Sequence, residues 1–193
     1  FLMRVYKTMN ALILGFFVGD FAVGLYTAAE KLHNAYSSFV SPLLSQIFYP
    51  YFTRINNINR TTKITILLCV LNTIILACGY FLSPYLIHLF IKTEAASIIS
   101  NFNLFLFLLV ISVPADMLGF PFLGILGKIN SVNNTTIYSA FAYMLAIAVL
   151  ILTKQISIEN VILALIFANI ICLSSRIYLI SKTLNNDNKQ IQQ

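Results

Sequence analysis

Two carboxylates stand where carboxylates are costly: Glu30 in "YTAAEKLHNAYSS" and Asp116 in "ISVPADMLGFPF", each inside an otherwise apolar stretch. A pair of acids can divide general-acid and general-base roles, but that chemistry needs a pocket that holds a polar substrate. The stretches joining the apolar runs reach no more than about a dozen residues, which leaves nothing to build such a pocket outside a bilayer. A Gly-rich phosphate loop, a Ser/His/Asp set and a metal-ligand cluster are all missing from the sequence. The chain is therefore expected to be no enzyme and to carry no cofactor. Without a nucleotide motif, any transport would draw on a gradient or an exchange unless another subunit supplies energy. His33 is expected to be a packing residue, and His88, in "FLSPYLIHLFIK", a surface-seeking one. Cys69, Cys78 and Cys172 sit in apolar runs at spacings that suit neither a disulfide framework nor a metal. They read as small apolar packing residues.

The elements that position these groups must be membrane helices. Of 193 residues, 59% are hydrophobic and 9% charged, and the mean hydropathy is +0.87, whereas soluble domains carry about a quarter charged residues. Bilayer crossing takes about 20 apolar residues per helix, and short polar punctuation divides the chain into six such spans, about 1–18, 21–52, 64–91, 98–126, 132–153 and 157–181, followed by a polar tail, 182–193. The fold class expected is all-α and polytopic. Basic residues test the layout, because cytoplasmic loops collect Lys and Arg. With the first span running outward, the inside set is Arg4, Lys7, Arg54, Arg60, Lys63, Lys128, Arg176, Lys182 and Lys189; the outside set is Lys92 and Lys154. Both ends are then cytoplasmic, and the net charge of +6 reflects topology rather than nucleic-acid binding, which would need a basic stripe on a soluble element. The opening at Phe1 inside an apolar run, without a signal-peptide pattern, suggests the later part of something longer.

Within the second span the polar residues share one side. Turned at about 100° per residue, Thr27, Glu30, Asn34, Ser37, Ser38, Ser41 and Ser45 fall in an arc of about 100°, with His33 and Lys31 on its flanks. A lipid-facing charge costs at least about 2.5 to 3.5 kcal/mol, so the stripe is expected to line a wet interior or face other helices. Lys31 can snorkel to the interface. Pro42 should bend this span, with Ser38 and Ser41 placed to satisfy the freed carbonyl. In the fourth span, Pro114 and Pro121 flank Asp116, which predicts a helix broken near an acid. Broken membrane helices build ligand sites. A purely local alternative is that Asp116 caps a helix restarting after Pro114.

"ALILGFFVGDFAVGLYTAAEKL" with "SPLLSQIFYPYFTRI", and later "FPFLGILGKINSVNNTTI", resemble the C-terminal six-helix lobe of polysaccharide repeat-unit flippases, Wzx-type members of the MATE-like multidrug/oligosaccharidyl-lipid/polysaccharide exporter superfamily. The matching features are Leu14-Gly15, the Val23-Gly24-x-Tyr26-x-Ala28-Ala29-x-Lys31 run, Tyr49-Pro50 before a basic loop, and a Gly-Lys turn. "LFIKTEAAS" departs from the family's glycine-containing turn, in an outer loop only. The resemblance implies a twelve-helix protein of two lobes, working by alternating access in the bacterial inner membrane, that flips undecaprenyl-pyrophosphate-linked oligosaccharide for O-antigen or capsule assembly. Its expected partners are that lipid-linked sugar, membrane lipids, a missing N-terminal six-helix lobe or partner half, and polysaccharide polymerase machinery. In this reading Thr27, Glu30, Asn34, Ser37, Ser38, Ser41, Ser45 and Asp116 are substrate-pathway candidates, and Arg54, Arg60 and Lys63 attract the diphosphate at the cytoplasmic mouth. The alternatives are multidrug efflux by cation exchange and a nonfunctional flippase fragment. A polymerase or glycosyltransferase would need larger outer loops.

Overall fold

The computed structural model describes residues 2–55, 57–90 and 95–191, with side chains for 9–55, 57–88 and 97–185. Among the described residues the regular elements are all helical: α1 (Leu2–Phe17), α2 (Asp20–Pro42), α3 (Tyr49–Ile55), α4 (Ile58–Phe90), α5 (Ala95–Met117), α6 (Ile129–Leu152) and α7 (Ile158–Ile191). Two π-helical segments interrupt the regular ladder, Leu43–Phe48 between α2 and α3, and Leu118–Leu123 after α5. The first joins α2 to α3 without a gap, so Asp20 to Ile55 is one helical run.

The protein is all-α, and its composition makes it a multi-pass membrane protein: α4, α5 with its π segment, α6 and α7 are long and apolar enough to cross a bilayer. The first two expected spans differ from these. The described part of α1 is 16 residues, a rise of about 24 Å, and α2 dilutes its apolar surface with Asp20, Glu30 and Lys31. The last helix runs past residue 181, through the polar tail, to Ile191. Residues 182–191 hold neither Gly nor Pro to stop it.

Local chemistry sets the turns. Gly19, with φ of 112°, separates α1 from α2, a conformation that only glycine adopts without strain. At the Gly-Lys turn Gly127 takes φ of 69°, its N–H donates to Gly124 O, and Lys128 N–H donates to Leu123 O, the left-handed stop that frees the chain to reverse into α6. Asn57 caps α4 by accepting from Arg60 N–H at 3.1 Å, and Ser157 caps α7 by accepting from Asn160 N–H at 3.1 Å.

Helix α5 is the centre of the bundle, packed on α2, α4 and α7, while α6 leans on α7 and α1 on α2. Half of the apolar window of α5 is buried, against 17% for α4, so α4 presents Ile66, Leu67, Val70, Ile74 and Phe81 outward, to acyl chains in a bilayer. Lipid is as apolar as Leu, so helix pairing in a membrane relies on close packing and polar ties. Several such ties are present among the described residues. Asn10 Nδ2 donates to Tyr26 Oη at 2.9 Å and Asn10 Oδ1 accepts from Tyr143 Oη, which joins α1, α2 and α6. Tyr36 Oη donates to Asn72 Oδ1 at 2.6 Å, and Ser139 Oγ to Ala168 O at 2.9 Å.

Candidate functional site

The inward side of α2 carries Glu30, His33, Ser37 and Ser41, and the π segment that follows adds Leu44, at the three- and four-residue steps that keep side chains on one helical face. Facing them are Phe105, Leu108, Ser112 and Asp116 from α5, and Leu165 and Asn169 from α7. These helices border a partly open cavity of about 190 Å³, room for several waters. Its wall mixes two carboxyl groups, an imidazole, an amide and three hydroxyls with apolar surface. His33 is buried and its ring lies 5.2 Å from that of Phe105. Its Nδ1 is 3.3 Å from Asn34 Oδ1.

The predicted stripe divides. Glu30, Ser37 and Ser41 line the cavity, and Asp116 joins them from α5. Thr27 is turned back on its own helix, donating to Val23 O at 2.8 Å; Asn34 is engaged by His33; Ser38 is exposed on the outer flank; and Ser45 donates to Ser41 O at 3.0 Å. An arc of about 100° is wide enough to span two environments, and the packing angle of α5 decides where the boundary falls. Lys31 is exposed, as snorkelling requires. Sequence reasoning passed over Ser112 and Asn169, which read as isolated polar residues in apolar spans. His33, expected only to pack, both packs and lines the cavity.

Both proline expectations are modified. At Pro42 the chain keeps helical angles, φ −63° and ψ −38°, and the disturbance is the π segment that follows. The hydroxyl that returns to the backbone there is Ser45 rather than Ser38 or Ser41. In α5 the helix passes through Pro114 unbroken, so Asp116 does not cap a restart. The break lies beyond it, at Gly119, with ψ of −111°. Gly119 has no Cβ to resist leaving the helix, and Pro121 two residues later removes a donor from the ladder.

Arg176 is the largest departure. Counted from sequence among the cytoplasmic cations, it is buried, 3% exposed. Its guanidinium donates from Nε to Thr135 Oγ1 at 3.2 Å, from Nη2 to Thr136 Oγ1 at 3.1 Å and from Nη1 to Ala115 O, with Asp116 Oδ1 3.7 Å from Nη1. Both threonine hydroxyls donate in turn to Val132 O. The available signal was spacing: Leu165, Asn169, Cys172 and Arg176 follow one another at steps of four, three and four, on a single face of α7.

Arg54, Arg60 and Lys63 are exposed around the turn between α3 and α4, and none of them lines the cavity. The two π segments pack on each other, and α3 packs on the second. Tyr49 packs against the second of these, its ring 5.4 Å from that of Phe120 and close enough to Gly124 that a Cβ there would lie 2.9 Å from Tyr49 Cε2. The three cysteines are free thiols, with Cys69 Sγ 3.6 Å from Met117 Sδ.

Residues 1–56, or 56 of 193, match a family described as polysaccharide biosynthesis protein. The matched stretch holds α1, the polar face of α2, the first π segment and α3, and excludes Asp116 and Arg176. No curated protein and no solved structure matches the chain. The similarity, joined to the helical membrane fold, supports a role in polysaccharide synthesis or export and a transporter-type rather than catalytic protein.

Proposed function

We propose that the chain is a six-helix lobe of a flippase that moves undecaprenyl-pyrophosphate-linked oligosaccharide repeat units across the bacterial inner membrane by alternating access. The observation that carries the reading is the cavity wall of α2: hydroxyl, carboxyl and imidazole groups gathered on one face of a membrane helix, inside the stretch that matches the polysaccharide biosynthesis family. Hydroxyls and amides exchange hydrogen bonds with a saccharide as readily as with water. At about 190 Å³ the cavity is smaller than the usual ~300 Å³ lower bound of ligand sites. A repeat unit therefore needs further wall, which a second lobe facing the outer flank of α2 and its π segment, with Ser38, Ser45 and Gln46, would supply. Arg54, Arg60 and Lys63 then mark the cytoplasmic mouth, where they attract the diphosphate, and both chain ends face the cytoplasm.

Glu30→Ala and Asp116→Ala are expected to reduce surface polysaccharide severalfold and to accumulate lipid-linked repeat units in the inner leaflet, with protein levels unchanged. Full display by both variants would overturn the reading. Two carboxylates beside Phe105 and His33 also suit exchange of an organic cation for protons. That alternative predicts loss of drug resistance in the same variants with display intact.

A further inference from the structure

The break in the helical run that carries Asp116 is held by a residue from another helix. At Gly119 the guanidinium of Arg176 lies against the backbone: a Cβ built there would be 2.7 Å from Nη1 and 2.9 Å from Cζ, distances no real side chain tolerates. All three nitrogens of the fork are engaged. Nε and Nη2 go to α6 through Thr135 and Thr136, and Nη1 goes to Ala115 O, one turn before the break. In an unbroken helix Ala115 O would accept from the N–H four residues on, which is that of Gly119. The guanidinium thus occupies the notch left by the missing Cβ and meets the carbonyl where the break begins. The adjacent Asp116 carboxylate is 54% exposed and belongs to the cavity wall, whereas the Arg176 side chain is 4% exposed and absent from that wall.

We propose that Arg176 is a positioning residue: seated in the Gly119 notch, it ties α5, α6 and α7 at one point, sets Asp116 on the cavity wall and keeps the 118–126 segment closed across the end of the cavity. Charge alone is not enough for this. A lysine ammonium offers no planar fork with which to reach two hydroxyls and a carbonyl at once, so Arg176→Lys releases the segment while preserving the ion pair's sign. Gly119→Ala releases it from the other side, by pushing the guanidinium out. Once released, the segment draws Phe120 and Gly124 away from Tyr49, and the cavity opens at its Leu44 end.

This inference names the device that closes the proposed transport site and rests on that reading only for its purpose. The test separates the two. Ser112→Cys, on the cavity wall, is introduced into the chain with Cys69, Cys78 and Cys172 replaced by Ala, and its modification by a small water-soluble maleimide is timed in membranes. Arg176→Lys and Gly119→Ala should each accelerate labelling about tenfold, and the two together no more than either alone, because both remove one contact. Asp116→Asn, which leaves the fork seated, should change the rate less than about twofold. Effects that multiply in the double variant, or unchanged rates in both single variants, would overturn the inference. A variant that fails to accumulate in membranes is replaced by Thr135→Val with Thr136→Val, which deletes two of the fork's acceptors and carries the same expectation. Polysaccharide display is scored in parallel. Accelerated labelling with display untouched would leave the lock standing and remove its transport role.

Discussion

At Pro42 the second helical run stays in helical space, slips into a π turn, and has exposed carbonyls answered by Ser45 a few residues along the same chain. At Gly119 the run that carries Asp116 leaves helical space altogether, and what answers it is Arg176 on another helix. Both interruptions involve proline and a π segment, and the two segments pack on each other. The difference is where the repair comes from. A break mended by its own neighbours survives any change in packing, whereas one mended by a distant side chain exists only while the helices stay together. The first is a property of the helix; the second is a property of the bundle, and a bundle can change its arrangement.

Removing Arg176 should therefore have the largest effect on stability. Arg176→Met keeps most of the side chain's length while deleting three hydrogen bonds, the one to Ala115 O among them, and taking the guanidinium from Asp116. Breaking a buried ion pair typically costs ~3 to 5 kcal/mol, and the half-exposed Asp116 lowers that because water screens it, so a loss of about 2 to 3 kcal/mol is expected in the denaturant unfolding of detergent-solubilised protein. Asp116→Asn should lose under about 1 kcal/mol. Equal losses would mean that the carboxylate, and not the notch, holds Arg176.

The tie among Asn10, Tyr26 and Tyr143 occupies the middle of the range. It joins three helices, as Arg176 does, but contains no charge and mends no break. Tyr143→Phe removes one donor to Asn10 and should cost about 1 kcal/mol by the same unfolding measurement, the usual net value of a hydrogen bond and near what interhelical bonds in membranes give. A cost matching that of Arg176→Met would show that the bundle depends on buried polar ties in general rather than on the mended break.

What could be read from sequence follows the same division. Helix positions were legible because apolar length and short polar punctuation are local signals, and so was the inward turn of Glu30, Ser37 and Ser41, since a helix fixes angles between neighbours. The partners of those faces were not. That Asn169 and Ser112 meet α2 depends on how α5 and α7 pack, and no spacing within one helix records a contact with another. Arg176 misled because a cation near the end of an apolar span ordinarily marks a cytoplasmic flank; the clue to its burial was the face it shares with Asn169 and Cys172. Gly119 was hidden by the prolines on either side, which drew the break toward Pro114, where the helix runs through intact.

The smallest effect belongs to the locally mended turn. Ser45 is exposed, and its hydroxyl donates to Ser41 O and Pro42 O at 3.0 and 3.5 Å, the longer of which is weak by geometry. Water can take over that role on an exposed face, so Ser45→Ala should change unfolding stability by under about 0.5 kcal/mol and leave the labelling of a cysteine at position 112 unaltered. Pro42→Ala restores a donor to the ladder and should straighten the turn without loosening the bundle, because the hydroxyl that answers this turn's carbonyls comes from its own π segment and not from α5, α6 or α7. If Ser45→Ala instead opens the cavity as Arg176→Lys does, the two π segments act as one unit across their packed surface, and closure belongs to the pair of them and not to the Gly119 notch.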